Sequence, residues 1–153
     1  MTTLFHAAPG TTGYGPWIER LPSVAALAEA VAERVETAVS QGVRRQGRAS
    51  LIFSGGGTPE LFLPRVAGAD VPWNKVNILL ADERWVDGNS AYSNTAMLRR
   101  TLLTHAGPAQ AKFVPLKNAA ASATEGVETA RSGLPPLDQH SNHLGAIVRP
   151  KGC

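Results

Sequence analysis

Cysteine, long apolar runs and long basic runs are all scarce in this sequence. The only cysteine among 153 residues is Cys153, so neither a disulfide framework nor a CxxC metal site is available. That usage is typical of a reducing compartment. Nowhere do about 18 apolar residues run together, and no N-terminal stretch combines a basic region, an apolar core and a cleavage site. We therefore expect a cytoplasmic protein with no membrane partner.

Charge is also sparse, at 18% of residues with a net charge of +3. The most basic stretch, RRQGR at 44–48, is interpreted as a solvated loop, and no nucleic-acid partner is predicted. Residues 1–138 carry 13 Lys/Arg and 12 Asp/Glu, a net charge of +1. Residues 139–153 add two basic residues and no acid, so the excess of positive charge is concentrated in the last segment.

Hydrophobic residues make up 43% of the chain, and their spacing predicts strands and helices in one domain. The clearest helix spans 23–42, with apolar residues every three or four positions, Ser23 as its N-cap and Gly42 at its end. Apolar runs typical of strands covered on both faces occupy 49–53 and 75–81. The other predicted elements are a strand near the N-terminus (TLFHAA), a helix from Pro59 disturbed at Pro64, a helix over 94–105, a strand over 112–116, and a weaker helix over 119–133 interrupted by Gly126.

This alternation of strands and helices predicts an α/β domain with a mainly parallel sheet between helices. In open sheets of this kind, ligands bind beyond the carboxyl ends of the strands. Two polar segments, SGGGTP at 54–59 and DERWV at 82–86, follow the two buried strands. The sequence therefore predicts a site formed by both segments at one edge of the sheet.

The segment SGGGTP has the composition of an anion-binding loop. Glycine accepts positive φ at little steric cost, so 55–57 can turn consecutive N–H groups toward one point. Thr58 suits the N-cap and Pro59 the first helical position, and a helix N-terminus favours phosphate. The loop lacks the lysine of a P-loop and the third glycine of a dinucleotide loop. A strand-to-helix turn without a ligand remains the alternative.

The segment DERWV supplies charged side chains at the next strand end. A carboxylate of Asp82 or Glu83 can manage protons, and the guanidinium of Arg84 can pair with a phosphate. The alternative is a salt-bridged loop with Trp85 tucked into the core.

Three segments in this order and spacing, SGGGTP, LLADERWVDGNSAYSNTAMLRRTLL and LPPLD, resemble the 6-phosphogluconolactonases from about residue 24 to residue 138. The resemblance implies the three-layer α/β/α sandwich of the glucosamine-6-phosphate deaminases, a Rossmann-like fold. It also implies hydrolysis of 6-phospho-D-glucono-1,5-lactone to 6-phosphogluconate in the pentose phosphate pathway, without a metal or other cofactor. The partner would be the small phosphosugar lactone.

The resemblance also implies roles for individual residues. Arg84 would bring positive charge toward the phosphate, and Asp82 would lie near the sugar ring as an accessory acid. Asn94 and Arg99 match the family in the following helix, where a structural role is expected. The residues implied to line the phosphosugar site are Ser54, Gly55, Gly56, Gly57 and Thr58.

The sequence departs from the family at two places. The family loop usually has serine where Gly57 stands, and we expect at most a modest loss of affinity. After Asp138 the family continues with an aliphatic strand and G-x-G-x-D-G-H-T, whose histidine is the implied general base, whereas this sequence reads QHSNHLGAIVRPKGC. His140 and His143 lie in that segment without a helical pattern or partner ligands, and a metal site is not expected there.

We therefore expect a lactonase-like domain over 1–138 without its C-terminal strands, a divergent and disordered tail over 139–153, and weak or absent turnover. A shifted reading frame or a truncated product would explain the abrupt change. Two other functions stay open. One is a non-catalytic module that binds a phosphosugar or a partner chain, and the other is an amino-sugar-phosphate deaminase or isomerase.

Overall fold

The computed structural model describes residues 20–135, which form seven regular elements. In chain order these are α1 (Val24–Gln46), β1 (Ala49–Phe53), α2 (Gly57–Ala67), β2 (Val76–Leu80), α3 (Asn94–Leu98), β3 (Lys112–Val114) and α4 (Ala123–Gly133). Short 3-10 turns at Trp73–Lys75 and Pro108–Gln110 precede β2 and β3, and a π-helical turn, Arg99–Leu103, continues α3. No helix in this part of the chain is long and apolar enough to cross a bilayer.

The three strands form one parallel sheet in the order β1-β2-β3. Leu51 pairs with Ile78 and Ile78 with Phe113, so the three strands align side by side. Because parallel neighbours need a crossover, each pair is joined by helical chain. The predicted α/β class with a parallel sheet is confirmed.

Helices lie against both faces of the sheet. On one face, α1 and α2 pack over alternate residues of the strands. On the other face, Gly133 at the end of α4 lies against the side chain of Val114. β2 is buried at all five positions, as its apolar run predicted. The main core comprises Leu51, Phe53, Val76, Ile78 and Leu80 from the sheet with Val39, Leu63, Val66 and Leu98 from the helices.

β1 does not have the predicted cover on both faces. Leu51 and Phe53 are buried against the helices, but Ile52 is 45% exposed and Ser50 is exposed on the opposite face. Within residues 20–135, β1 is an edge strand and no helix covers that face of it, which explains the difference.

The first helix is longer than its sequence pattern predicted. Ser23 is the N-cap, accepting a hydrogen bond from the N–H of Ala26, but α1 passes through Gly42 and ends at Gly47, where φ is 74°. The basic stretch at 44–48 is therefore not a loop throughout, since its two leading arginines form the last helical turn. Glycine at 42 suits the close approach of Ala49 at the start of β1.

The two predicted helix interruptions do not occur. α2 runs through Pro64 without a break, and α4 runs through Gly126 from its N-cap at Ser122. Gly126 lies where the Trp85 ring packs against α4, and a side chain there would collide with that ring. The N-terminal strand TLFHAA and the tail over 139–153 lie outside the described residues.

Candidate functional site

The glycine loop between β1 and α2 leaves backbone donors unused. Gly56 has φ of 102° and serves as the N-cap, so α2 begins at Gly57. The prediction of Thr58 as N-cap and Pro59 as first helical residue is therefore wrong by two positions. Pro59 is tolerated because the first N–H groups of a helix have no intrahelical acceptor. Among residues 20–135, no protein group accepts a hydrogen bond from the N–H of 55–58.

These free donors lie at the positive end of an eleven-residue helix. The aligned peptide dipoles place roughly half a positive charge at such an end. The acidic side chain in the first turn, Glu60, pairs with Arg100 of the π-helical turn, which offsets its negative charge. Ser54 is exposed at the start of the loop and Thr58 is half-buried at its end, adding two hydroxyl groups. The loop is therefore suited to an anion, although its role in binding stays a prediction.

The three glycines differ in what surrounds them. A Cβ atom on Gly55 would lie 1.9 Å from Oδ1 of Asn94, so only glycine fits there. Gly56 needs glycine for its positive φ. A Cβ atom on Gly57 would meet no atom within 4 Å, and its φ is ordinary. The structure thus has room for the serine that the resemblance implies at position 57.

The second segment begins beside the glycine loop. The N–H of Ala81 donates to the carbonyl of Phe53 at 2.8 Å, extending the β1–β2 ladder by one bond. Ser54 and Asp82 therefore leave neighbouring strands at the same edge of the sheet. The side chain of Asp82 belongs to an exposed residue, where a bound molecule can reach it.

Glu83 anchors the second segment to α3. Its carboxylate accepts hydrogen bonds from the N–H groups of Arg84, Asn94 and Thr95, each at 2.8 Å, and from the hydroxyl of Ser93 at 3.3 Å. Burial alone would raise the pKa of Glu83, but the hydrogen bonds from Thr95, Asn94 and Arg84 outweigh it and lower the pKa below its ordinary value. The carboxylate thus stays charged and holds the start of α3 in place.

Arg84 extends from this anchored segment and is exposed. One nitrogen of its guanidinium, Nη1, donates to the carbonyl of Tyr92 at 2.8 Å and to Oδ1 of Asn94 at 3.4 Å. Since Oδ1 of Asn94 also lies against Gly55, a single side chain separates the guanidinium from the glycine loop. The other nitrogens of Arg84 have no protein acceptor within the described range. Arg84 is therefore held near the glycine loop, and its remaining N–H groups can donate to a ligand.

Trp85 belongs to the packing and not to the proposed binding surface. Its Nε1 donates to the carbonyl of Ala120 at 3.0 Å, and the Lys117 ammonium lies 5.3 Å from the ring centroid. The indole is half-buried against α4, close to the alternative in which it is tucked into the core. The alternative interpretation also required salt bridges within the loop, whereas the guanidinium of Arg84 donates to the carbonyl of Tyr92 and the side-chain amide of Asn94.

The structure brings together the predicted residues of both loops. It also shows that Glu83 and Asn94 connect these loops, which the sequence did not indicate. Glu83 is an anchor, and Asn94 lies between Asp82, Arg84 and the glycine loop. In the sequence, only the pair Ser93 and Asn94 in the segment after DERWV indicated that Asn94 belongs to the site. His105, the one histidine among the described residues, is exposed and lies two residues beyond the π-helical turn that continues α3.

Residues 22–145 match the family described as glucosamine-6-phosphate isomerases/6-phosphogluconolactonase. The chain belongs to this family. The match covers most of the chain and confirms the resemblance inferred from its motifs.

Individual family members show the same relationship. The chain is 42% identical to a 6-phosphogluconolactonase of Pseudomonas putida over 118 residues, 74% of this chain and 46% of that protein. It is 36% identical to one from Pseudomonas aeruginosa, covering 84% of this chain and 52% of that protein. A crystal structure of a 6-phosphogluconolactonase from Shewanella baltica superimposes with a TM-score of 0.70 at 33% identity. The implied α/β fold of the family is thereby confirmed.

The chain spans about half the length of the relatives that it matches. It covers 48% of the Shewanella baltica chain and 73% of its own length in that superposition. The described residues therefore correspond to one part of the family fold. This part contains both loops of the candidate site, one after β1 and one after β2.

Proposed function

We propose that this chain is the phosphosugar-binding part of a 6-phosphogluconolactonase, which hydrolyses 6-phospho-D-glucono-1,5-lactone to 6-phospho-D-gluconate in the pentose phosphate pathway. The observation that carries the proposal is the set of free N–H groups at 55–58, one side chain away from the guanidinium of Arg84. Family membership supports the choice of ligand.

In this proposal the phosphate rests on the N-terminal end of α2. The amides of the loop donate to its oxygens, with the Ser54 and Thr58 hydroxyls beside them. Arg84 supplies the full positive charge, and a hydrogen bond to a charged group of this kind contributes about 1.5–3 kcal/mol. The sugar ring then extends toward Asp82 at the adjacent strand end.

The reaction adds water across the lactone ester. The water oxygen attacks the carbonyl carbon, the bond to the ring oxygen breaks, and that oxygen takes a proton to become a hydroxyl. A base with a pKa near neutrality takes the proton of the attacking water and contributes about 10²- to 10⁴-fold. Asp82 is proposed as an accessory acid beside the ring.

The general-base histidine implied by the resemblance lies in a G-x-G-x-D-G-H stretch, and these 153 residues contain no such stretch. We therefore propose that the 153-residue chain binds the phosphosugar but turns over the lactone weakly or not at all. A general base contributed from outside the chain would restore turnover.

Isothermal titration calorimetry of the 153-residue chain tests the proposal. 6-Phosphogluconate should bind, and gluconate, which lacks the phosphate, should bind far more weakly. Arg84→Met should weaken 6-phosphogluconate binding roughly 10- to 150-fold, the factor that corresponds to the loss of a charged hydrogen bond. Arg45→Met, which removes an exposed arginine at the far end of α1, is the matched control and should change little.

Turnover is measured separately, with fresh lactone in a pH-stat. Binding without turnover supports the proposal as written, and a kcat of about one per second or more would show that another group serves as the base. Equal affinity for gluconate and 6-phosphogluconate would contradict the phosphate site.

A further inference from the structure

Asn94 is a buried polar side chain at the centre of the candidate site. It is 2% exposed, although it is the first residue of the short helix α3 and contacts two exposed residues of the site, Asp82 and Arg84. A buried carboxamide is unfavourable unless its donors and acceptor are hydrogen-bonded. Its partners therefore indicate what the residue does.

Those partners are the two charged residues of the second segment. Nδ2 of Asn94 donates to the carbonyl of Asp82 at 3.0 Å and to its carboxylate oxygen Oδ2 at 3.2 Å. Oδ1 of Asn94 accepts from Nη1 of Arg84 at 3.4 Å. The same amide thus contacts both the proposed accessory acid and the proposed phosphate ligand.

The amide also contacts the glycine loop. A Cβ atom on Gly55 would lie within 2.4 Å of the oxygen, carbon and nitrogen of the Asn94 carboxamide, so the flat face of the amide lies against the Gly55 backbone. The N–H of Asn94 donates to Glu83, which fixes the backbone from which this side chain extends. One residue therefore connects both loops of the site and the start of α3.

We propose that Asn94 is a positioning residue, which sets Asp82 and Arg84 against the glycine loop so that both face one bound phosphosugar. This inference rests on the proposed function for the identity of the ligand. The geometry of the connection between the two loops holds without any ligand.

A carboxamide satisfies both partners, because it carries an N–H donor and an oxygen acceptor. The carbonyl of Asp82 accepts and cannot donate, so it requires an N–H, whereas the guanidinium of Arg84 donates and cannot accept, so it requires an oxygen. Aspartate at 94 would keep an acceptor for Arg84 but would place a second carboxylate beside Asp82. Leucine, of similar size, would offer neither group.

Two variants and one control test the inference. Asn94→Leu and Asn94→Asp should each weaken 6-phosphogluconate binding by about tenfold or more, since each leaves a charged or buried partner unpaired. Asn77→Leu is the matched control, because Asn77 is also buried, on β2, and its amide bonds Ser50 near the opposite edge of the sheet. The affinity of Asn77→Leu for 6-phosphogluconate should stay within about twofold of that of the unsubstituted chain. Thermal melts first confirm that all three variants fold.

A double-mutant cycle distinguishes positioning from general loosening of the fold. If Asn94 acts through Arg84, the loss caused by Asn94→Leu should shrink in an Arg84→Met background. Additive losses would show that Asn94 does not act through Arg84 and would overturn that half of the inference. Unchanged affinity in both Asn94 variants would overturn it altogether.

A ligand-free measurement keeps the inference testable if the proposed function fails. The NMR order parameter of the Arg84 Nε–H reports the rigidity of the guanidinium. It should fall in Asn94→Leu and stay unchanged in Asn77→Leu. Failure of the unsubstituted chain to bind any phosphosugar would refute the proposed function, whereas an unchanged order parameter in Asn94→Leu would refute the positioning role.

Discussion

At the scale of single residues, neighbouring glycines carry different constraints. Gly57→Ser should be tolerated, because its Cβ meets open space and its φ is ordinary. Reducing the freedom of the unfolded chain should raise the free energy of unfolding by about 0.5–1 kcal/mol. Gly56→Ser should lower it by about 1–3 kcal/mol, because φ of 102° with ψ of 177° is a conformation that almost only glycine adopts. Urea denaturation of both variants measures the contrast, and equal changes would contradict it.

The charge state of one residue links the site to pH. The pKa of Glu83 is lower in the folded chain than its ordinary value of 4.5, so the native state binds a proton less readily than the unfolded one. Its contribution to stability is therefore complete above pH 4.5 and is lost as the pH falls through the folded-state pKa. Glu83→Gln should flatten the decline of stability at acid pH, measured by urea denaturation between about pH 7 and pH 3.

The matched control for that experiment is Glu33→Gln, which changes an exposed glutamate on α1. The acid-side decline should persist there. Some decline should also remain in Glu83→Gln, because the hydrogen bond from Arg65 lowers the pKa of the exposed Glu29 as well. Identical pH profiles for the original chain and Glu83→Gln would show that the hydrogen bonds to Glu83 do not favour its charged form.

At the scale of elements, local pattern predicted where strands lie better than where helices end. The strands at 49–53 and 75–81 were confirmed within one residue, because each is a short, mostly apolar run bounded by polar residues. Helix ends depend on single backbone positions. Gly42 and Gly47 both fit a helix stop in the sequence, but the chain takes the left-handed conformation at Gly47, where φ is 74°, and Gly42 lies inside α1 beside Ala49.

The proline inside α2 gives a prediction about the same element. Pro64 has no N–H to donate to the carbonyl of Glu60, one turn earlier, and it is exposed. Pro64→Ala should restore that bond and raise the free energy of unfolding by about 1 kcal/mol or more. Pro59→Ala is the comparison, because a first-turn N–H gains no intrahelical acceptor and Pro59 is buried. Urea denaturation should rank Pro64→Ala above Pro59→Ala.

At the scale of the whole molecule, the sequence predicted where the site lies but not how Asn94 connects its two loops. Parallel strands end at one edge, so the two polar segments had to meet there. The contact of Asn94 with Gly55 depends on the β1–β2 register and on how Glu83 holds α3, neither of which a local pattern contains. The binding roles of residues 54–58, Asp82 and Arg84 stay predictions until ligand binding is measured.

On β1, the sheet face that carries Ser50 and Ile52 is left uncovered by the described residues of this chain. Ile52 is 45% exposed on β1, an edge strand within residues 20–135, and edge strands with apolar side chains favour association. We expect the 153-residue chain to self-associate as its concentration rises, and Ile52→Lys to weaken that association, by sedimentation velocity. Val24→Lys is the control, because Val24 is 52% exposed but lies on a helix. An equal effect of both lysines would point to net charge as the cause, whereas an effect of Ile52→Lys alone would locate the contact on the sheet.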